Sequence, residues 1–454
     1  MTWRIGLLAL TAIAALVVSP WPYLTPDAVN YLSIARNLAN RGELARLGES
    51  QVFHGPGYPV LLAPVFWISA EPWLAISIVN AGLLALFGGL AYRWAKDNTP
   101  DAAVYVGLLT VVNVIVTTIF RRPLSETVFC SGLFALAISY NRVLQGTFPG
   151  RLWPALIAGQ CGLALVRQMG AIAGFGVAAA VTVQAIRGER RWSSALAVGF
   201  LTCVPPAIVV VSWTLYDNAR AAEFSNADFL ATQSSSAAIA DWPLHPLTRR
   251  LAEGLRVRIS EAGQITIPGL FKSYAAPECW LDANTFVYVP YFALLLVGWR
   301  RLLRTNDVMA WIWPLYFLAH VYWPFYQSAR FTAPLAPVLF VFLWRALDSW
   351  PGRRGPLFAS LIAAHFAVSL GVYAAADGRK AREQWWHWPE LRDVARQARM
   401  SQEQVFVDAN AIDLRLSLQF LIDRPVLTTN EGSAGIVVTW DDERKAKVVS
   451  RESR

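Results

Sequence analysis

Uninterrupted stretches of about 20 apolar residues recur along most of this chain, each long enough to carry a helix across a hydrocarbon core about 30 Å thick. They are centred on residues 3–21, 73–93, 102–120, 124–141, 152–167, 171–186, 194–216, 285–300, 307–323, 331–347 and 357–374. A backbone in lipid must satisfy its own N–H and C=O groups, so these runs predict helices. The expected fold class is an all-α polytopic membrane protein with about eleven transmembrane helices. A shorter run, 58–69, suits a re-entrant or interfacial helix. Composition agrees: 55% of the 454 residues are hydrophobic, 16% are charged and mean hydropathy is +0.37. Soluble domains, disorder and collagen are thereby excluded. Of the 4 cysteines, Cys130, Cys161 and Cys203 fall inside apolar runs, which excludes a disulfide scaffold.

The first run ends in Ser19-Pro20-Trp21-Pro22 without a small-residue cleavage site, so it reads as an anchor. With the amino end inside, alternate short connections carry Arg93 and Lys96, Arg142 and Arg151, Arg187 to Arg191, Arg300 to Arg304, and Arg345 to Arg354. Basic residues are retained on the cytoplasmic side, which fixes the amino terminus in and the carboxyl terminus out. The same bias accounts for the net charge of +9, and no nucleic-acid partner is expected.

That parity sends three longer segments outside, namely loops 22–57 and 217–284 and the tail. The chain therefore divides into a transmembrane domain, 1–375, and a small extracytoplasmic α/β domain, 376–454. In the tail, 404–407, 424–428 and 435–440 read as strands and 411–422 as a helix. In the middle loop, Leu247, Leu251 and Leu255 recur beside Arg249, Arg250, Arg256 and Arg258, the pattern of an amphipathic helix lying on the lipid surface.

Charges near a bilayer are costly, and those that break the basic-inside pattern are the informative ones. Asp27, then Arg121, Arg122 and Glu126, then Arg167, then Arg330 all arrive at the outer face. In Thr25-Pro26-Asp27 a cap, a first-turn proline and a first-turn acid start a helix, which explains Asp27 structurally. The same carboxylate is placed to take a proton from an acceptor hydroxyl or to hold, with Glu126, a divalent cation such as Mg or Mn. Glu126 also opens a helix and has Arg121 and Arg122 as possible ion-pair partners. Arg167 and Arg330 each want a carboxylate or a phosphate in the guanidinium fork. His54 sits in a Gly- and Pro-rich turn, Phe53-His54-Gly55-Pro56-Gly57-Tyr58-Pro59, without metal-ligand spacing. Trp385-Trp386-His387-Trp388 fits an interfacial aromatic belt. There is no Walker loop, dinucleotide fingerprint, G-x-S-x-G or His-Glu-x-x-His.

Three segments resemble a known family. Thr25-Pro26-Asp27-Ala28-Val29-Asn30-Tyr31-Leu32-Ser33-Ile34-Ala35-Arg36-Asn37-Leu38, followed by His54-Gly55-Pro56-Gly57-Tyr58-Pro59, is similar to the first outer loop of C-type (GT-C) integral-membrane glycosyltransferases. The likeness is to the protein O-mannosyltransferase and aminoarabinose-transferase-like branch. Pro123-Leu124-Ser125-Glu126 and Ala329-Arg330-Phe331-Thr332-Ala333-Pro334-Leu335-Ala336-Pro337 are similar to two further segments of that family. The resemblance implies an inverting glycosyltransferase that moves a sugar from a polyprenyl-phosphate donor to a lipid, glycan or protein acceptor on the extracytoplasmic face. It implies Asp27 as general base, Glu126 as the second catalytic acid, and Tyr31, His54, Arg121, Arg122, Arg167 and Arg330 as substrate-binding residues. Asn-x-Ser/Thr is absent, which points to a bacterial plasma membrane. The rival is a flippase or secondary transporter of a lipid-linked or anionic substrate, which would place its charges at midplane within an inverted repeat.

Overall fold

The computed structural model describes residues 22–47, 55–147, 149–219, 246–268, 283–322, 328–377, 388–400, 405–407, 415–422, 427–428, 435–440 and 446–451. The run 3–21, His54 and Trp385 to His387 lie outside the described residues. In chain order the helices are α1 Pro26–Arg41, α2 Gly57–Ile68, α3 Trp73–Asn98, α4 Ala103–Val112, α5 Val114–Phe120, α6 Glu126–Leu144, α7 Trp153–Val166 and α8 Ile172–Ile186. They continue as α9 Trp192–Ala219, α10 Pro246–Thr266, α11 Ala283–Leu303, α12 Val308–Tyr322, α13 Ala336–Ala346, α14 Pro351–Val372, α15 Trp388–Met400 and α16 Arg415–Ile422. Every apolar run from residue 73 onward contains a helix. Among the described residues, 5 helices are by themselves long and apolar enough to cross a membrane, or 6 if the bent pair α4 and α5 is one span.

Two compact units make up the chain. The first holds Ala81–Phe120 and Ser125–Gly371; the second holds Ser19–Asn80, Arg121–Leu124 and Val372–Arg454, each within its described residues. In the first unit α8 packs on α9 and α12, α11 runs along α13, and α10 packs on α12 and α11. Small residues allow these approaches. A Cβ at Gly174 would fall on the Thr202 carbonyl, and one at Gly298 on the Phe342 carbonyl. On α9, Leu196, Phe200, Ile208, Val211 and Leu215 are exposed, an apolar surface that water would not tolerate and lipid does.

Run 102–120 is bent by 51° at Asn113. The Asn113 Oδ1 accepts from the backbone N–H of Ile115 and Val116 at 3.0 and 3.1 Å and so caps α5, while its Nδ2 donates to the Ile265 carbonyl of α10 at 2.7 Å. At one end of the unit, buried Asp307 gathers α3, α6 and α12: its carboxylate accepts from Trp94 Nε1 at 3.0 Å, Asn98 Nδ2 at 2.9 Å and Asn141 Nδ2 at 2.6 Å. Arg345, one of the basic-loop residues, donates there to the Asn98 carbonyl at 2.6 Å. Asn141 is near the end of α6 and Glu126 begins it, so the basic loops and Glu126 occupy opposite ends of one helix.

In the second unit α1 packs on α2 and α16, and α15 lies on α16 and the sheet. The sheet has order β2-β1-β3-β4, with β1 Val405–Val407, β2 Leu427–Thr428, β3 Gly435–Trp440 and β4 Ala446–Arg451. Strand β1 is parallel to β2 and β3, and β4 is antiparallel to β3 with Val437 opposite Val449. Helix α15 and strand β4 were not legible in the sequence. Glu71, just before α3, accepts from Trp388 Nε1 at 2.6 Å and from Arg392 Nη2 at 2.6 Å. Trp388, read as part of an interfacial belt, is buried edge-on against Trp73 at 5.3 Å between ring centroids.

Candidate functional site

Three of the expected residues meet in the first unit. Glu126 opens α6 in its first turn, where a carboxylate faces the positive helix end, and it is fully buried. Its Oε1 lies 2.6 Å from Arg167 Nη1 and also accepts from Arg330 Nε. Ser125 Oγ donates to the other oxygen at 3.3 Å, and Arg167 Nη1 reaches Ser125 Oγ at 3.3 Å. The partners come from afar: Glu126 pairs with arginines on two other connections, not with the adjacent Arg121 or Arg122.

Local structure aims each arginine. Arg167 leaves α7 in an extended conformation, φ −149° and ψ 132°, ahead of the 3-10 turn Gln168–Ala171. That turn needs Gly170, where a Cβ would stand 2.6 Å from the Leu163 carbonyl oxygen. Arg330 closes the 3-10 turn Ser328–Arg330, and Pro334 and Pro337 start the next turn and α13 without needing an N–H. Phe331 backs both cations, its ring centroid 5.1 Å from Arg167 Cζ and 5.8 Å from Arg330 Cζ. Tyr316 Oη donates to the Phe331 carbonyl at 2.8 Å and holds that ring. Two guanidiniums share this one carboxylate. Exposure is unequal: the side chains of Arg167 and Arg330 are 14% and 17% exposed, whereas that of Glu126 is 1%. The more exposed members of the cluster are therefore guanidiniums, groups suited to an anion.

The other expected residues belong to the second unit. Asp27 is in the first turn of α1, which Thr25 caps by accepting from the Ala28 N–H at 3.2 Å, with Pro26 beside it as the sequence suggests. Tyr31 is buried, edge-on to Tyr58 at 5.2 Å. Arg121 is buried with its Cζ 4.8 Å from the Tyr373 ring centroid, and Arg122 Cζ stands 5.3 Å from that of Tyr23.

The middle loop holds residues that sequence reasoning missed. Helix α10 extends to Thr266, and Leu251 and Leu255 face outward while Arg258 and Glu261 are buried. The helix thus turns its polar face inward. Gly254 lets it approach α12, since a Cβ there would fall on the Val321 carbonyl. Arg258 Nη1 is 2.5 Å from Glu261 Oε2, which also accepts from Thr332 Oγ1 at 2.6 Å. Burial pushes the Glu261 carboxyl up, to about 7, against the pull of Arg258 and Thr332. The signal available in sequence was Glu261 three residues after Arg258, one helical turn apart on the same face as Gly254.

A divalent cation does not fit Glu126, whose carboxylate is already shared by two guanidiniums; a cation there would face a net positive neighbourhood. Among the described residues, no three His, Cys, Asp or Glu side chains gather as a metal site.

No protein-family model matches the sequence, and no curated protein matches it. Solved structures do match. The ArnT of Cupriavidus metallidurans bound to undecaprenyl phosphate is similar over 97% of this chain and 93% of its own, with 12% identity and a TM-score of 0.58. The same protein in its apo state gives a TM-score of 0.56 over the same shares, again with 12% identity. The archaeal oligosaccharyltransferase AglB of Archaeoglobus fulgidus, in complex with an inhibitory peptide and a dolichol-phosphate, gives 0.55 with 14% identity over 93% of this chain and 64% of its own. The chain has the fold of the C-type integral-membrane glycosyltransferases.

Proposed function

We propose that this multi-pass membrane protein is a GT-C-type glycosyltransferase that moves a sugar from a polyprenyl-phosphate donor to a lipid, glycan or protein acceptor on the extracytoplasmic face, with inversion. The observation that carries the reading is the gathering of Arg167 and Arg330 on Glu126 at the end of α6 opposite the basic loops. The shared fold supports it, because ArnT is solved with undecaprenyl phosphate and AglB with a dolichol-phosphate. The remaining assignments belong to the same proposal: a bacterial plasma membrane, the amino terminus cytoplasmic and the carboxyl terminus extracytoplasmic.

In this reading an acceptor oxygen attacks the anomeric carbon as the bond from that carbon to the phosphate oxygen breaks. The acceptor proton passes to Asp27, and the electron pair leaves with the lipid phosphate. Arg167 and Arg330 take up the charge that develops on that leaving group, a role worth about 2.7–4 kcal/mol for one fixed donor. Glu126, which the resemblance pairs with Asp27 as a catalytic acid, holds the two guanidiniums in register. No step passes through a metal. Tyr31, His54, Arg121 and Arg122 keep the substrate-binding role implied by the resemblance.

The test is transfer from a purified polyprenyl-phosphate sugar by the full-length protein. A covalent glycosylated product, lost on changing Asp27 to Asn, is the expected result. Movement of substrate across sealed vesicles without any product would instead make the chain a transporter.

A further inference from the structure

Arg258 and Glu261 are each almost fully buried, yet their hydrogen bonding is incomplete. Arg258 Nε and Nη2 and Glu261 Oε1 have no partner within the described residues. A buried donor or acceptor left in this state costs about 1–3 kcal/mol, more when charged. Three such atoms on two ion-paired side chains leave two donors and one acceptor to be satisfied. A ligand that satisfies all three must accept from the guanidinium and donate to the carboxylate. A phosphate dianion leaves the ionised form of Glu261 without a donor, and an ammonium leaves Arg258 without an acceptor. Neighbouring hydroxyls on one ring do both.

The pair is also tied to the phosphate-facing cluster. Thr332 Oγ1 donates to Glu261 Oε2 at 2.6 Å, and Thr332 is two residues beyond Arg330, a backbone span of at most about 7 Å. Phe331 lies between them in sequence, under both Arg330 and Arg167. Tyr316 and His320 both stand against Phe331, Tyr316 Oη donating to its carbonyl and the His320 and Phe331 ring centroids lying 5.3 Å apart. Helix α10 is fixed beyond the pair, where the Ile265 carbonyl accepts from Asn113 and Tyr291 Oη donates to Thr266 Oγ1 at 2.5 Å.

We infer that Arg258 and Glu261 form the sugar subsite of this protein, reading two adjacent hydroxyls of the donor's sugar ring while Arg167 and Arg330 hold its phosphate. The inference rests on the proposal that the site takes a polyprenyl-phosphate sugar. The pair is enclosed in this structure, so a sugar binds there only if α10 moves against the Arg330–Thr332 turn.

The experiment measures binding to the full-length protein in detergent, by native mass spectrometry, of bare undecaprenyl phosphate and of undecaprenyl phosphate carrying glucose, mannose, galactose or arabinose. Wild type should bind at least one glycosylated lipid about tenfold or more better than the bare one. Glu261→Gln and Arg258→Lys should abolish that preference and leave the bare lipid's affinity unchanged, while Arg167→Ala should weaken both. Arg258→Lys keeps the charge and the ion pair, so its thermal unfolding serves as the control for folding. An unaltered preference in both variants, or an equal loss for bare and glycosylated lipids, overturns the subsite. A wild type that shows no preference for any glycosylated lipid overturns it as well. Failure of wild type to bind either lipid overturns the donor proposal itself, a result distinct from the others.

Discussion

Arg167 Nη1 lies 2.6 Å from Glu126 Oε1, and the two residues are 41 positions apart, one opening α6 and the other just past the end of α7. The same oxygen serves Arg330, 204 positions from Glu126. One buried carboxylate thus determines where two cations stand.

Removing that carboxylate leaves two guanidiniums repelling one another in a poorly solvated place. Glu126→Ala should lower stability by about 3–5 kcal/mol, the usual cost of stranding a buried charge. Thermal unfolding in detergent measures it. Glu126→Gln should raise the donor KM while retaining part of kcat; complete loss of kcat at an unchanged donor KM would make Glu126 an acid or base after all.

Arg330→Ala and Arg167→Ala each remove a charged hydrogen-bond donor worth about 1.5–3 kcal/mol, so the donor KM should rise roughly ten- to a hundredfold. Steady-state kinetics with donor and acceptor varied separately decides the matter. A change confined to acceptor use would remove the phosphate assignment.

Asp27→Asn keeps shape and capping geometry at the start of α1 but removes the base. Transfer should fall by at least about a hundredfold with unchanged expression and melting temperature. Activity near wild type would transfer the base role to another residue.

Glu71 couples α15 to the segment before α3, and its protonation should be visible in α15. Burial alone would raise its carboxyl; the hydrogen bonds from Arg392 and Trp388 and the charge of Arg392 outweigh that and hold it below its ordinary 4.5. A lowered carboxylate pKa stabilises the folded state above the unfolded value, and the gain is lost as pH falls through 4.5 toward the folded value. The Arg392 side chain is 53% exposed, so the effect should be below about 1 kcal/mol. Hydrogen exchange of Trp388–Met400 should accelerate as pH is lowered below about 4.5, after correction for intrinsic rates, and Glu71→Gln should remove that dependence. A pH-independent protection pattern in wild type would count against the clamp.

Much of this was legible in the primary structure because it is local. Twenty apolar residues in succession have one low-energy solution in lipid, and Thr25-Pro26-Asp27 carries its own cap, so spans and the start of α1 follow from composition and neighbours. The β-branched run Ile436 to Thr439 likewise marks β3. Strand β4 and helix α15 are short and polar enough that only their packing on β3 and α16 selects their conformation. The break at Asn113 had one sign, an amide in an apolar run, and the side chain that caps α5 also binds α10.

The order of helices, the basic loops and the list of charges worth attention were set by the sequence itself, since hydropathy and charge act residue by residue. Which charge meets which was decided by the tertiary structure alone. Glu126 had Arg121 and Arg122 close at hand in sequence and took Arg167 and Arg330, and α10 turned Arg258 and Glu261 inward and Leu251 and Leu255 out. Such choices depend on where helix ends meet after packing, because a buried charge is tolerated only where the folded chain brings its partner.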